Sequence, residues 1–312
     1  MSYIAVIGAG SWGTAMALHL ARKDYDVTIW AREPEVAEEI NREGTNSQFL
    51  PEVQLPENLR ATSSLEEALH RARYVLCAVP SQFVRQVFTE VARYIDPNST
   101  VISLSKGIEK GTLLTVSQVL RQIIENPVAV LSGPSFAKEV AKGLPTAVTL
   151  AVEDPAVGLL LQEVFNTSTF RVYTHTDIIG VELGGALKNV IAIAAGIADG
   201  LGLGYNARAG LITRGLAEIV RLGVAMGAEP VTFSGLSGIG DLVLTCTGAL
   251  SRNYTVGYKL GQGRKLREIL SEMKEVAEGV ETTASAKALA EKHGVEMPIV
   301  QEVYRVLYEE RP

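Results

Sequence analysis

Through about residue 175 the chain alternates short runs of β-branched and aromatic residues with stretches of helical periodicity. The runs fall at 3–7, 26–30, 74–79, 100–104, 128–131 and 147–151, with 169–173 as a further candidate, and each reads as a strand. Strands that alternate with helices predict a mainly parallel, doubly wound α/β sheet. From Asp177 onward the pattern turns helical. The stretch 182–199 is dense in Ala, Gly, Ile and Val and apolar almost all round, which predicts a buried helix at the centre of a second domain. More ordinary amphipathic helices are expected at 207–226, 265–272, 282–293 and 299–309. The pattern therefore divides the chain into a sheet domain, 1–176, and an all-α domain, 177–312.

Composition supports two domains, because 312 residues with 47% hydrophobic content can bury two cores. The formal charge is -6 and there is no Lys/Arg run, so neither a nucleic acid nor an anionic membrane surface is expected as a partner. The N-terminus enters a strand pattern without the basic and long apolar regions of a signal peptide, which points to the cytoplasm. No run approaches the ~18 uncharged residues of a membrane span, so stable membrane insertion is not expected. Cys77 and Cys246 lie far apart, and His19, His70, His175 and His293 are scattered singly; no disulfide framework or metal site is expected.

Gly8-Ala9-Gly10-Ser11-Trp12-Gly13 follows the first strand and opens a helix. In that context Gly8 permits a tight turn, Gly10 lets a pyrophosphate approach the backbone, and Gly13 lets helix and strand pack closely. The expected domain is a Rossmann-type dinucleotide fold. At the end of the second strand, where NAD-selective sites place a carboxylate for the ribose, stand Arg32 and Glu33. Arg32 suits a 2′-phosphate and favours NADP over NAD, while Glu33 opposes it. Phe49 and Phe83 are candidates to cover a cofactor ring, or are ordinary core or loop aromatics.

Lys188 interrupts the apolar helix with Gly184, Gly185, Ile191 and Ala192 as helical neighbours, so its face is walled by small groups. Desolvation there would lower its pKa and ease proton exchange with a substrate oxygen. Lys106, between Ser105 and Gly107, offers a second cation, and Asn189 a neutral hydrogen-bonding partner. Asp241 follows a glycine-rich turn; it reads either as a helix cap or as the carboxylate that orients Lys188. Ser251-Arg252-Asn253 groups a guanidinium with two hydrogen-bonding side chains, a constellation suited to a phosphate dianion or, more plainly, to a capped turn.

These motifs occur in order with Ser105-Lys106-Gly107-Ile108-Glu109, Ser132-Gly133-Pro134-Ser135-Phe136-Ala137, Glu182 to Asn189 and Gly238-Ile239-Gly240-Asp241. Together they make the chain resemble bacterial NAD(P)-dependent glycerol-3-phosphate dehydrogenases over nearly its whole length. The resemblance implies a Rossmann-type sheet followed by an all-α domain like the C-terminal domain of 6-phosphogluconate dehydrogenase. It also implies reversible reduction of dihydroxyacetone phosphate to sn-glycerol 3-phosphate for phospholipid synthesis. Lys188 would donate and accept the proton, with Lys106 and Asp241 beside the substrate. By the same resemblance Gly133, Ser135, Ser251, Arg252 and Asn253 would contact substrate. Ser11, Trp12, Arg32, Phe49, Lys106, Ala137, Arg252, Val276 and Glu278 would contact cofactor, and the protein would be a homodimer. Glu33 departs from the second basic residue common after Arg32 in such enzymes. Two other readings stand beside this one: a reductase of another small hydroxy acid such as ketopantoate, and a nicotinamide-sensing protein without chemistry.

Overall fold

The computed structural model describes residues 3–273 and 276–311; Met1, Ser2, Lys274, Glu275 and Pro312 lie outside the described residues. The chain forms two compact units. A sheet unit comprises Met1–Ser105, Val116–Leu131 and Ser135–Thr176, and a helical unit comprises Lys106–Thr115, Ser132–Pro134 and Asp177–Pro312. Two short segments that precede residue 177 thus pack with the helices.

The sheet unit carries β1 (Tyr3–Ile7), β2 (Asp26–Trp30), β3 (Leu59–Thr62), β4 (Ala72–Cys77), β5 (Thr100–Ser103), β6 (Val128–Ser132), β7 (Thr146–Ala151) and β8 (Phe170–His175). Their spatial order is β3-β2-β1-β4-β5-β6-β7-β8. β1 is parallel to β2 and β4, β2 to β3, β4 to β5, β5 to β6 and β7 to β8. The middle strands read as continuous apolar runs because both faces are covered; every residue of β6 is buried. β3 is absent from the sequence expectation because an edge strand of four residues, Leu-Arg-Ala-Thr, carries too short an alternation to register. β4 begins and ends two residues before the expected 74–79.

The helix Ser11–Ala21 ends in two cations that close other helices of the same unit. Arg22 donates to the Ala141 carbonyl, and Lys23 Nζ donates to the carbonyls of Glu163, Val164 and Asn166 at 2.6–2.9 Å. These are last-turn carbonyls without intrahelical partners. One turn earlier, His19 is buried, makes a 2.7 Å hydrogen bond to the Phe165 carbonyl and lies on the Phe170 ring. Burial pulls its pKa from 6.5 to about 4. The folded state therefore keeps His19 neutral while the unfolded chain takes up a proton below pH 6.5, so stability falls as pH drops from 6.5 towards 4, by ~3 kcal/mol in full. Urea titrations of wild type and His19→Gln at pH 7 and pH 5 check this. The variant, which has no imidazole to protonate, is expected to lose less stability over that interval than wild type.

The helical unit is built on the helix Ile178–Gly200, nearly all of it buried. Asp177 starts it, accepting the Gly180 N–H at 2.8 Å, the Glu229 N–H at 2.9 Å and the Thr232 hydroxyl at 2.6 Å. By length and composition it is the one helix among the described residues apolar enough to cross a membrane; here it is the core of the unit. Around it pack Gly204–Ala225, Asp241–Thr247, Arg252–Gly261, Glu278–His293 and Pro298–Tyr308, and Leu266–Ser271 packs on Arg252–Gly261. Arg252–Gly261 lies against the central helix through glycines of both. A methyl group at Gly196 would sit 2.1 Å from the Tyr254 oxygen, and one at Gly257 2.0 Å from the Ile193 oxygen. Cys77 and Cys246 are buried and not in a disulfide, and burial pushes the Cys246 thiol up to about 12.

Candidate active site

In the sheet unit the turn after β1 has the shape its glycines suggest. Gly8 has φ +119°, and a methyl group there would lie 2.7 Å from the Ala78 oxygen; one at Gly13 would lie 2.0 Å from the Gly8 oxygen. A methyl group at Gly10 would meet open space. Gly10 is also the N-cap of the helix Ser11–Ala21 and offers no side-chain cap to its first amides. Trp12 Nε1 is buried and makes no hydrogen bond. Open space beside Gly10, an uncapped helix N-terminus and an unpartnered indole N–H fit the pyrophosphate end of a dinucleotide. Beyond β2, Arg32 is exposed and its guanidinium is ion-paired to Glu33. Phe49 is half-buried against the sheet core and Phe83 is exposed. Ser135 and Ala137, the latter opening the short helix Ala137–Ala141, also belong to this unit.

The charged centre of the helical unit is a carboxylate between two lysines. Asp241 is 1% exposed; its Oδ1 accepts from Lys188 Nζ at 2.6 Å and its Oδ2 from Lys106 Nζ at 2.7 Å. Lys106 also donates to the Gly133 carbonyl at 2.9 Å. Asp241 is the first residue of its helix; the N-cap is Gly240, so the reading of Asp241 as a cap is replaced by the carboxylate's ion pairs. Thr245, one turn on, was not singled out from the sequence. Its hydroxyl donates to the Asp241 backbone oxygen at 2.6 Å and accepts from Lys188 Nζ at 2.8 Å. The i, i+4 spacing from Asp241 is the signal that could have found it. Lys188 thus has two of its three protons directed to Asp241 and Thr245. Burial lowers its pKa from 10.5 to about 8, opposed by Asp241 and assisted by the Lys106 charge.

The two glycines before Lys188 explain how three separate segments meet. A methyl group at Gly184 would lie 2.3 Å from the Ser237 oxygen. One at Gly185 would lie 2.5 Å from Ser132 Oγ and 3.5 Å from Lys106 Cγ. The space that small residues leave beside Lys188 is therefore filled by the segments that carry Asp241 and Lys106. The Lys106 segment is held to the same unit by fully buried Ile108, whose carbonyl accepts from Ser285 Oγ.

Asn189 and Asn253 are buried, and Asn253 Oδ1 accepts the Gly279 N–H at 2.9 Å. Ser251 caps the helix Arg252–Gly261 by accepting the Tyr254 N–H, while Arg252 is exposed at the first position of that helix. Val276 is exposed, and Glu278 opens the helix Glu278–His293.

Residues 3–158 match the model of the NAD-dependent glycerol-3-phosphate dehydrogenase N-terminus, and residues 177–312 that of its C-terminus. The chain belongs to this dehydrogenase family. A glycerol-3-phosphate dehydrogenase [NAD(P)+] from Geobacter sp. (strain M21) is 58% identical, over 99% of this chain and 93% of that protein. A crystal structure of glycerol-3-phosphate dehydrogenase from Coxiella burnetii is 44% identical over 99% of this chain and 95% of that one, with a TM-score of 0.96. The fold reaches further: a ketopantoate reductase from Ralstonia eutropha JMP134, 17% identical over 98% of this chain and 97% of that one, has a TM-score of 0.65. That likeness is one of fold alone. As a glycerol-3-phosphate dehydrogenase family member, the protein is an NAD(P)-dependent oxidoreductase with a Rossmann-like parallel sheet and a helical C-terminal domain.

Proposed function

We propose that this protein reduces dihydroxyacetone phosphate to sn-glycerol 3-phosphate, reversibly, with Lys188 moving the proton. The observation that carries the reading is the Lys106–Asp241–Lys188 cluster in a chain of this family. The bound dinucleotide supplies the hydride. The chain's own residues then have to stabilise charge at the substrate oxygen and deliver a proton to it. Lys188 meets both needs. Asp241 and Thr245 fix two of its protons, so the third is left for the carbonyl oxygen of the substrate. A pKa of about 8 lets the ammonium exist near neutrality and still give up that proton. In the reverse direction the neutral amine takes the hydroxyl proton. Lys106, Gly133, Ser135, Asn189 and Asn253 are assigned to substrate positioning. Arg252 is assigned to the phosphate, with the helix N-terminus capped by Ser251 beneath it.

For the cofactor, we assign the pyrophosphate to the turn from Gly8 to Gly13 and the 2′-phosphate of NADP to Arg32, with Phe49, Ala137, Val276 and Glu278 as further contacts. NADP is preferred over NAD because Arg32 is exposed and positively charged; its pairing with Glu33 moderates that preference. We place the protein in the cytoplasm as a homodimer joined through its helical unit, where Leu201, Leu203 and Tyr205 leave large apolar side chains exposed.

Nicotinamide absorbance, followed with NADPH and NADH against dihydroxyacetone phosphate and ketopantoate, tests the assignment. Turnover of the triose phosphate alone, faster with NADPH, is expected. Turnover of ketopantoate instead, or of neither, removes the reading. Arg252→Ala is expected to raise KM for dihydroxyacetone phosphate ~100-fold with a smaller effect on NADPH. An equal loss of both would make Arg252 a cofactor residue.

A further inference from the structure

We propose that Asn46 is a positioning residue of the dinucleotide site, clamping the loop that carries Phe49 onto the turn between Gly8 and Gly13; this rests on the assignment of that turn to the dinucleotide. Asn46 lies on an irregular segment after the helix Pro34–Glu43, yet it is 1% exposed. A buried polar side chain in a loop needs partners, and here they identify its task. Nδ2 donates to the Ala9 carbonyl at 2.9 Å and to Thr14 Oγ1 at 2.9 Å, while Oδ1 accepts the Phe49 N–H at 3.3 Å. Thr14, fully buried, donates its own hydroxyl to the same Ala9 carbonyl at 3.2 Å. Ala9 stands between the two glycines that shape the turn, so its carbonyl is fixed by two protein donors and its plane is set.

The same loop is braced from its other side. Glu39 accepts the Ser47 N–H at 2.7 Å, the Ser47 hydroxyl at 3.0 Å and the Thr45 hydroxyl at 2.8 Å, and these bonds hold its carboxyl below the ordinary range. The Leu50 N–H returns to the Asn46 carbonyl at 2.8 Å. Glu39 thus orders the loop, and Asn46 alone joins it to the glycine turn among the hydrogen bonds of this loop described above. Pre-ordering both walls of a ligand site lowers the ordering cost of binding.

Trp12 and Trp30, the two tryptophans of the chain, lie at the ends of the turn and of β2, so energy transfer from tryptophan to NADPH reports binding directly. Asn46→Leu is expected to raise the Kd and KM for NADPH about tenfold, with kcat at saturating NADPH and KM for dihydroxyacetone phosphate within about twofold of wild type. Hydrogen exchange is expected to quicken at the amides of Phe49 and Leu50. If Asn46→Leu does not fold, Thr14→Val, which removes one of the two acceptors, is expected to weaken NADPH about threefold while Thr14→Ser restores wild-type affinity. NADPH binding by the folded variants within twofold of wild type overturns the proposal, as does a loss shared equally by NADPH and triose phosphate. Failure of wild type itself to bind NADPH overturns the dinucleotide assignment and the proposal with it.

Discussion

Lys188→Ala is expected to lower kcat for dihydroxyacetone phosphate reduction ~10³-fold while leaving the Kd for NADPH within about twofold of wild type. Proton donation and charge stabilisation at the substrate oxygen vanish together, whereas the residues assigned to the pyrophosphate belong to the sheet unit. Stopped-flow turnover and tryptophan energy transfer on the same preparations separate the two quantities. The wild-type pH profile supplies the companion observation. Because burial places the Lys188 pKa at about 8, reduction needs the protonated lysine and kcat/KM is expected to fall with unit slope as pH rises through that value. Oxidation of glycerol 3-phosphate needs the neutral amine and is expected to rise over the same interval. Retention of a tenth of wild-type turnover by Lys188→Ala would retire the lysine as proton donor.

Asp241→Asn is expected to cost ~3–5 kcal/mol of stability near neutral pH, because Lys188 and Lys106 would face one neutral amide without their shared counter-charge. The sign of its pH dependence follows from Lys188. In the folded protein this lysine titrates below its unfolded value of 10.5, so the folded state resists protonation and gains stability as pH rises from about 8 towards 10.5. Removing the carboxylate removes the attraction that holds the pKa up, which lowers it further. The stability deficit of Asp241→Asn is therefore expected to narrow as pH rises towards 8 and to stay level above it, and the alkaline limb of its reduction profile to move to lower pH. Urea unfolding at pH 7 and pH 9 with residual activity across the range measures both. A deficit that does not change with pH would show that Asp241 acts through packing and not through the charge on Lys188.

The catalytic cluster also shows how far a linear reading reaches. Lys188 was visible because a charged residue without a polar stripe stands out in an apolar helix, and its pairing with Asp241 followed from a buried cation needing an anion. Thr245 is harder to see, since a threonine in an apolar run stands out only through its i, i+4 spacing from Asp241. The role of Gly184 and Gly185 was only half legible: the sequence suggested room beside Lys188, and the fold fills that room with Ser237, Ser132 and the stem of Lys106. The amphipathic pattern does not pick out the helices Asp241–Thr247, which has only seven residues, and Arg252–Gly261, where Gly257 and Gly261 weaken the periodicity. Contact of Gly257 and Gly261 with the central helix stabilises the second of them, and such contact is written in no single window of residues.

By itself the sequence determined the dinucleotide turn, the parallel sheet, the buried helix and the lysine within it, because each is signalled by residues close together in the chain: glycines at fixed offsets, alternating strand runs, one charge in an apolar stretch. Only the tertiary structure decided that Lys106 and Gly133 join the helical unit, that Asp241 serves two lysines at once, that Thr245 completes their hydrogen bonds, and that Asn46 ties its loop to the turn at Ala9. Those are contacts between segments from tens of residues to more than a hundred apart. Hydrogen bonds and close glycine packing depend on position in space to within a fraction of an ångström, which local pattern does not encode.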